Sequence, residues 1–205
     1  VFCINCDYLR ITDQNISGWN DLNKDSKIRI GVVDVLASSA ATNLYYTFVA
    51  QYGEEDAIKL LQKIHERVVQ YSKYLATPVR MAGMREVDLA ISVQSETIRY
   101  MYDGFPVKII YPEEGTSYLL TGVALLKNAN NKSDAKQFID WLLQDGSQMS
   151  MQRNNIFYMP TNQTGLAYKT LNIDNINLFE NKLNVKPDIQ KRLMERWIKE
   201  VRLNN

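Results

Sequence analysis

Apolar and polar positions along this chain follow two periods in turn. Residues 28–35, IRIGVVDV, are apolar and β-branched on both faces, the pattern of a strand covered on both sides. LASSAATNLYYTFVAQYG (36–53) predicts a helix entered at its serines and stopped at Gly53. From Glu54 onward Ala57, Leu60, Leu61, Ile64, Val68 and Tyr71 recur at spacings of three and four, which predicts one longer helix. Glu54, Glu55 and Asp56 fall in its first turn, where the helix dipole favours acids. VDLAISV (87–93) predicts a second strand, SETIRYMYDG (95–104) a short helix closed by Gly104, and FPVKIIY (105–111) a third strand. This rhythm predicts an α/β fold, a mainly parallel sheet flanked by helices.

Beyond residue 111 the chain reads YPEEGT, too polar for a core and rich in turn chemistry: Pro112 stiffens the exit from the strand, and Gly115 permits a turn closed to other residues. TGVALLK (121–127) predicts a fourth strand. Ser133 is placed to cap a helix whose stripe is Ala135, Phe138, Ile139, Leu142 and Leu143. In the tail Pro187 suits a first helical turn, and Ile189, Leu193, Trp197 and Val201 line up four apart for docking on the body.

Composition narrows the function. The 205 residues carry 24 basic and 23 acidic side chains, a net charge of +1, without a basic stripe interleaved with aromatics. That argues against nucleic acid as a partner. No stretch approaches the roughly eighteen consecutive apolar residues of a membrane span. Val1 opens directly on a strand-like segment with no basic leader, which fits a processed or truncated chain. Cys3 and Cys6 have redox spacing but no visible helix start behind them, so they read as small strand residues, with a disulfide as the alternative. His65 is the one histidine, which leaves no ligand set for zinc, and no metal or cofactor is expected.

Open α/β sheets bind ligands where strands end and helices begin, because the first helical turn has unpaired N–H groups and partial positive charge. Two junctions have that character. In DVLASSAATN the small Ser38, Ser39 and Ala40 allow close approach of a ligand, and the hydroxyls of Ser38, Ser39 and Thr42 suit phosphate, phosphonate or carboxylate oxygens. In SVQSET the candidates are Gln94 and Ser95. Helix capping by Ser38, Ser39 or Ser95 is the structural alternative at each. Catalysis would need Glu114 paired with Glu96 or Asp34, which no spacing brings together, and His65 lies in an amphipathic helix beside Glu66 and Arg67. An enzyme is not expected.

The order GWNDL (18–22), IRIGVVDVLASSAATN, PVRMAGMREVDLAISV (78–93), YDGFPVKIIYPEEGT (102–116), TGVALLKNANNKSDAKQFIDWLLQDGSQ (121–148) and MERWIKEV (194–201) resembles the extracellular solute-binding proteins of bacterial ABC importers. The branch it is most similar to contains ferric-iron, phosphonate and sugar-phosphate binders. The resemblance implies a type II periplasmic-binding-protein-like fold in which two lobes close on a small solute. It divides the chain into a crossover strand (1–8), a second α/β lobe (9–116), a returning part of the first lobe (117–165) and a C-terminal helical segment (166–205). Family members begin with roughly a hundred further residues, so the missing N-terminal lobe or another chain would complete the cleft.

The function the resemblance implies is capture of a small anionic solute by Ser38, Ser39, Ala40, Thr42, Gln94, Ser95, Glu114 and Thr116, with delivery to an ABC permease. The implied location is periplasmic or extracellular, with or without a lipid anchor. Two alternatives stay open, a ferric-iron binder and a ligand-sensing domain of a signalling receptor. Ferric binders of the family carry adjacent tyrosines after the strand matched here by LAISV, where this chain has Gln94 and Ser95; Tyr100 and Tyr102 come later and are not adjacent.

Overall fold

Phe2, Cys3, Ile4 and Asn5 are all buried, and this first strand, β1 (Phe2–Asn5), is an inner strand of a five-stranded sheet. The computed structural model describes residues 1–24, 27–171, 176–180 and 185–203. The remaining strands are β2 (Ile30–Val33), β3 (Val68–Ser72), β4 (Leu89–Ile91) and β5 (Val107–Ile110), in the order β3-β2-β4-β1-β5. β2 is parallel to both β3 and β4, whereas β1 runs antiparallel to β4 and β5.

Side chains alternate across this sheet as the period of two requires. Phe2, Ile4 and Leu89 face a large cluster with Trp19, Tyr45, Phe48, Leu193 and Trp197, while Cys3 and Ala90 face a smaller one with Val79, Met81, Val87 and Val107. The large cluster is covered by α2 (Ser39–Tyr52), α3 (Glu54–His65) and α9 (Pro187–Arg196). The smaller face is covered by α4 (Ala76–Gly83), whose Val79, Met81 and Ala82 belong to that cluster, and α5 (Gln94–Tyr102) lies beside it. α9 carries Pro187 in its first turn and runs on into a π-helical turn (Trp197–Arg202), so that Leu193, Trp197 and Val201 are buried as their spacing predicts, with Ile189 left partly exposed.

Local signals are met at α2, which is capped by the Ser38 hydroxyl and stopped by Gly53 at φ 82°. Four expectations are corrected. The apolar stripe read as one helix from Glu54 to Tyr71 breaks at His65, and Val68 and Tyr71 belong to β3. Spacings of three and four persist across the break by coincidence, while the β-branched pair Val68–Val69 and parallel pairing with β2 settle the strand. Cys6 does not lie in a strand: it begins the short helix α1 (Cys6–Thr12), capped by the Asn5 side chain, and both cysteines are free thiols.

The other two corrections fall in the second of two compact units into which the chain divides, residues 120–175, the first comprising residues 1–119 and 176–205. Residues 121–127 form no strand, because a strand exists only through its pairing and none of them pairs with a neighbour among the described residues. The following helix, α6 (Lys132–Leu142), has Asn131 in its N-cap position, with no side-chain capping bond among the described residues, and Ser133 sits inside it. Its predicted stripe is only partly covered: Ala135, Ile139 and Leu142 are half-buried, while Phe138 is 54% and Leu143 62% exposed. The same unit holds α7 (Asp145–Arg153) and α8 (Leu166–Lys169). The Ser147 hydroxyl lies within 2.6–2.9 Å of the carbonyls of Trp141, Leu142 and Gln144, closing the α6–α7 corner, and Asp145 accepts from the Leu166 amide at 3.0 Å.

Candidate functional site

Two neighbouring parallel strands leave the sheet at one edge. β2 and β4 pair Ile30 with Leu89 and Val32 with Ile91, so the chain that follows Val33 and the chain that follows Ile91 emerge side by side. The first leads through a turn closed by the Ala37 amide on the Asp34 carbonyl (3.0 Å) into α2, and the second leads into α5. This edge is where an open α/β sheet offers helix N-termini to a ligand.

At α2 the first backbone bond inside the helix is Thr42 N–H to Ser38 C=O (2.9 Å), which leaves the amides of Ser39, Ala40 and Ala41 ahead of the ladder. Ser38 Oγ takes the Ala40 amide at 3.2 Å, and Ser39 is exposed. At α5 the first such bond is Thr97 N–H to Val93 C=O (3.2 Å), and the amides of Gln94, Ser95 and Glu96 precede it. Val93 is the N-cap and no side chain caps this helix among the described residues, so the capping alternative for Ser95 does not hold.

The edge is braced. The Asp34 amide donates to the Ser72 carbonyl (2.9 Å), and Ser92 Oγ donates to the Leu75 carbonyl (2.8 Å). Residues 72–75, the exit from β3, are thereby tied on one side to the strand leading to Ser38 and on the other to the strand leading to Gln94. The Asp34 carboxylate accepts from the Leu36 amide (2.8 Å) and meets Arg202 Nε at 3.5 Å, whose guanidinium lies 4.3 Å from the centre of the Tyr71 ring. The acid at the mouth of β2 is thus matched by a cation from the C-terminal turn.

Other predicted residues do different work. Thr42 Oγ1 reaches the Val35 carbonyl at 2.6 Å and the Ser38 carbonyl at 3.0 Å, so its one donor is spent on the turn. Glu114 caps the 3₁₀ turn Trp19–Asn23: Oε2 accepts from the Trp19 amide (3.0 Å), and Oε1 from the Asn20 amide (3.2 Å) and side chain (3.1 Å). Thr116 is buried, and its backbone forms a bridge to the tail through Asn177 C=O and Phe179 N–H, each at 3.0 Å. Gly115 has φ 126°, and a Cβ there would lie 2.8 Å from the Phe179 ring, so the turn needs glycine twice over. YPEEGT is therefore a knot of structural contacts.

Glu96 pairs with Arg99 at 2.7 Å, and His65 Nδ1 lies 2.7 Å from the Tyr71 hydroxyl, so neither faces Glu114. Tyr100 packs on Phe105 and Tyr102 is 71% exposed, whereas burial pushes the Tyr111 phenol above its ordinary range. Among the described residues no group of three or more His, Cys, Asp or Glu is gathered to hold a metal. A concavity of about 400 Å³ is lined by Tyr52, Lys59, Lys63, Glu114 and Phe179, at the C-terminal end of α2 and not at its start.

A profile of bacterial extracellular solute-binding proteins matches residues 10–153. The chain belongs to that family. An uncharacterized protein of Haemophilus influenzae is 30% identical over 192 residues, 90% of this chain and 55% of that protein. The periplasmic binding protein AfuA of Actinobacillus pleuropneumoniae, solved with fructose 6-phosphate, has a TM-score of 0.76 at 29% identity, over 98% of this chain and 66% of that one. The apo ferric-ion-binding protein A of Pasteurella haemolytica shares the fold, with a TM-score of 0.71 at 18% identity, over 100% and 67%. The chain spans about half to two thirds of the length of these relatives. The fold is that of the type II periplasmic binding proteins.

The loop at residues 72–75 escaped the sequence because β3 was hidden inside a helical period. The signal for it was VVQYS (68–72), a β-branched pair and an aromatic bounded by charge.

Proposed function

We propose that this chain is the solute-gripping part of the substrate-binding component of an ABC importer, taking a small anion that bears phosphate, phosphonate or carboxylate. The observation that carries this reading is the emergence of α2 and α5 from neighbouring parallel strands at one sheet edge. The amides that precede the two helix ladders, apart from that of Ala40, which Ser38 Oγ takes, together with the hydroxyls of Ser38, Ser39 and Ser95 and the Gln94 amide group, suit an oxyanion without needing a formal positive charge at the contact. The small side chains of Ser39 and Ala40 leave the backbone open to it. In this reading residues 9–116 supply one lobe and 117–165 return toward the other. The full-length protein closes on its solute, because the bound closed state is the more stable, and hands it to a membrane permease.

The supporting relatives are binding proteins, and the one solved with fructose 6-phosphate carries a ligand of the expected charge. Titration calorimetry of the full-length protein with a panel of inorganic phosphate, fructose 6-phosphate, methylphosphonate and citrate tests the reading. Ser38→Ala with Ser39→Ala should weaken the tightest binder by about 1–3 kcal/mol, the cost of leaving a buried oxyanion short of donors. Unchanged affinity would leave the serines with capping alone.

A further inference from the structure

The exit from β3 carries two exposed side chains that are set against each other. Lys73 and Tyr74 are both exposed, Tyr74 at 66%, and Lys73 Nζ sits 5.6 Å from the centre of the Tyr74 ring. No carboxylate pairs with Lys73 among the described residues. This contrasts with the two acids nearest in sequence to the helix starts: Asp34 is met by Arg202 and Glu96 by Arg99. Ser72, just before the pair, is 2% exposed and its hydroxyl has no hydrogen-bond partner among the described residues, which leaves buried bonding capacity open at the root of the loop. The braces from Asp34 to Ser72 and from Ser92 to Leu75 hold Lys73 and Tyr74 between the strand exits that lead to Ser38 and Gln94.

We propose that Lys73 and Tyr74 form a third wall of the anion site and make it selective for a sugar phosphate over a bare oxyanion. This rests on the function proposed above. The helix starts supply neutral donors, which hold an oxyanion but do not balance a second charge. A phosphate monoester carries close to two charges at neutral pH, and the Lys73 ammonium is a cation at this edge with no acidic partner among the described residues. The ring of Tyr74 adds a flat apolar face with a hydroxyl at its tip, suited to stacking on a sugar ring while accepting or donating to its hydroxyls. Inorganic phosphate can use the first device but not the second.

The test uses full-length protein and titration calorimetry with fructose 6-phosphate and inorganic phosphate as the two probes, in low and high salt. Both residues are exposed, so their replacement leaves the core intact, and thermal unfolding verifies that. Tyr74→Ala should weaken fructose 6-phosphate about tenfold and phosphate less than twofold, with Tyr74→Phe falling between Tyr74→Ala and wild type, because the ring stays and the hydroxyl is lost. Lys73→Met should weaken fructose 6-phosphate about tenfold and flatten its salt dependence. If Ser38→Ala with Ser39→Ala weakens binding while Lys73→Met and Tyr74→Ala do not, the third wall is refuted and the anion site stands. If wild-type protein binds neither probe, the third wall is refuted, and the anion reading is then decided by methylphosphonate and citrate; if the serine pair and the loop variants are alike without effect, both readings fall.

Discussion

Trp19 and Glu114 stand 95 positions apart and hold each other: the Trp19 amide donates to Glu114 Oε2 at 3.0 Å, while the Trp19 indole donates to the Gly115 carbonyl at 2.8 Å. The indole lies in the centre of the large cluster, edge-on to Phe2 at 4.7 Å and to Phe48 at 4.8 Å. One residue thus connects β1, α2 and the connector that leaves β5.

Glu114 acts as a cap supplied from a distance. Glu114→Ala removes the acceptors for two backbone amides and should lower stability by about 1–2 kcal/mol in urea unfolding, the usual range for a lost cap. Glu114→Gln keeps one oxygen and should lie between. Solute affinity should change little in either variant, and a large loss of affinity at unchanged stability would return this carboxylate to the binding site.

Two glycines with positive φ separate backbone strain from steric conflict. Gly53 (φ 82°) has open space around its missing side chain, while Gly115 (φ 126°) has the Phe179 ring against it. Gly53→Ala should cost about 1 kcal/mol. Gly115→Ala should cost more, about 2–3 kcal/mol, because strain and displacement of Phe179 add. Equal losses in chemical denaturation would show that Phe179 yields freely.

Acid sensitivity should concentrate at Asp21. Burial alone would raise its carboxyl, but the Lys24 ammonium, the amides of Ser17 and Gly18 and the Ser17 hydroxyl together hold it at about 2, against 3.8 for the free group. Because the folded value is the lower one, the stabilisation is complete above pH 3.8 and disappears as pH falls toward about 2. Asp21→Asn should therefore be less stable than wild type at pH 6, with the gap narrowing across that window. A gap that stays constant from pH 6 to 2 would mean that these bonds do not depend on the charge.

Neighbour-to-neighbour chemistry was enough for the sequence to determine several elements. Ser38 and Gly53 bracket α2 because a cap hydroxyl and a left-handed stop act within one turn of the backbone. Pro187 and the four-residue spacing behind it fix α9 in the same way, and the glycine at 115 marks a turn that no other residue makes easily. The alternation of strands and helices was legible for the same reason, as was the presence of two helix starts rich in small polar residues.

Tertiary structure alone decided what depends on a partner distant in sequence. Val68 and Tyr71 fit a helix and a strand equally well by period, and pairing with β2 chose the strand. Residues 121–127 have strand composition and no ladder among the described residues, and the apolar stripe of α6 is only partly covered, because pairing and burial belong to two segments and not to one. The Glu114 carboxylate is held by the amides of Trp19 and Asn20, partners that its own neighbours in sequence do not indicate. That the chain leading to Ser38 and the chain leading to Gln94 leave neighbouring parallel strands follows only from the order β3-β2-β4-β1-β5: composition supplies helix starts, but strand pairing decides which strands lie side by side.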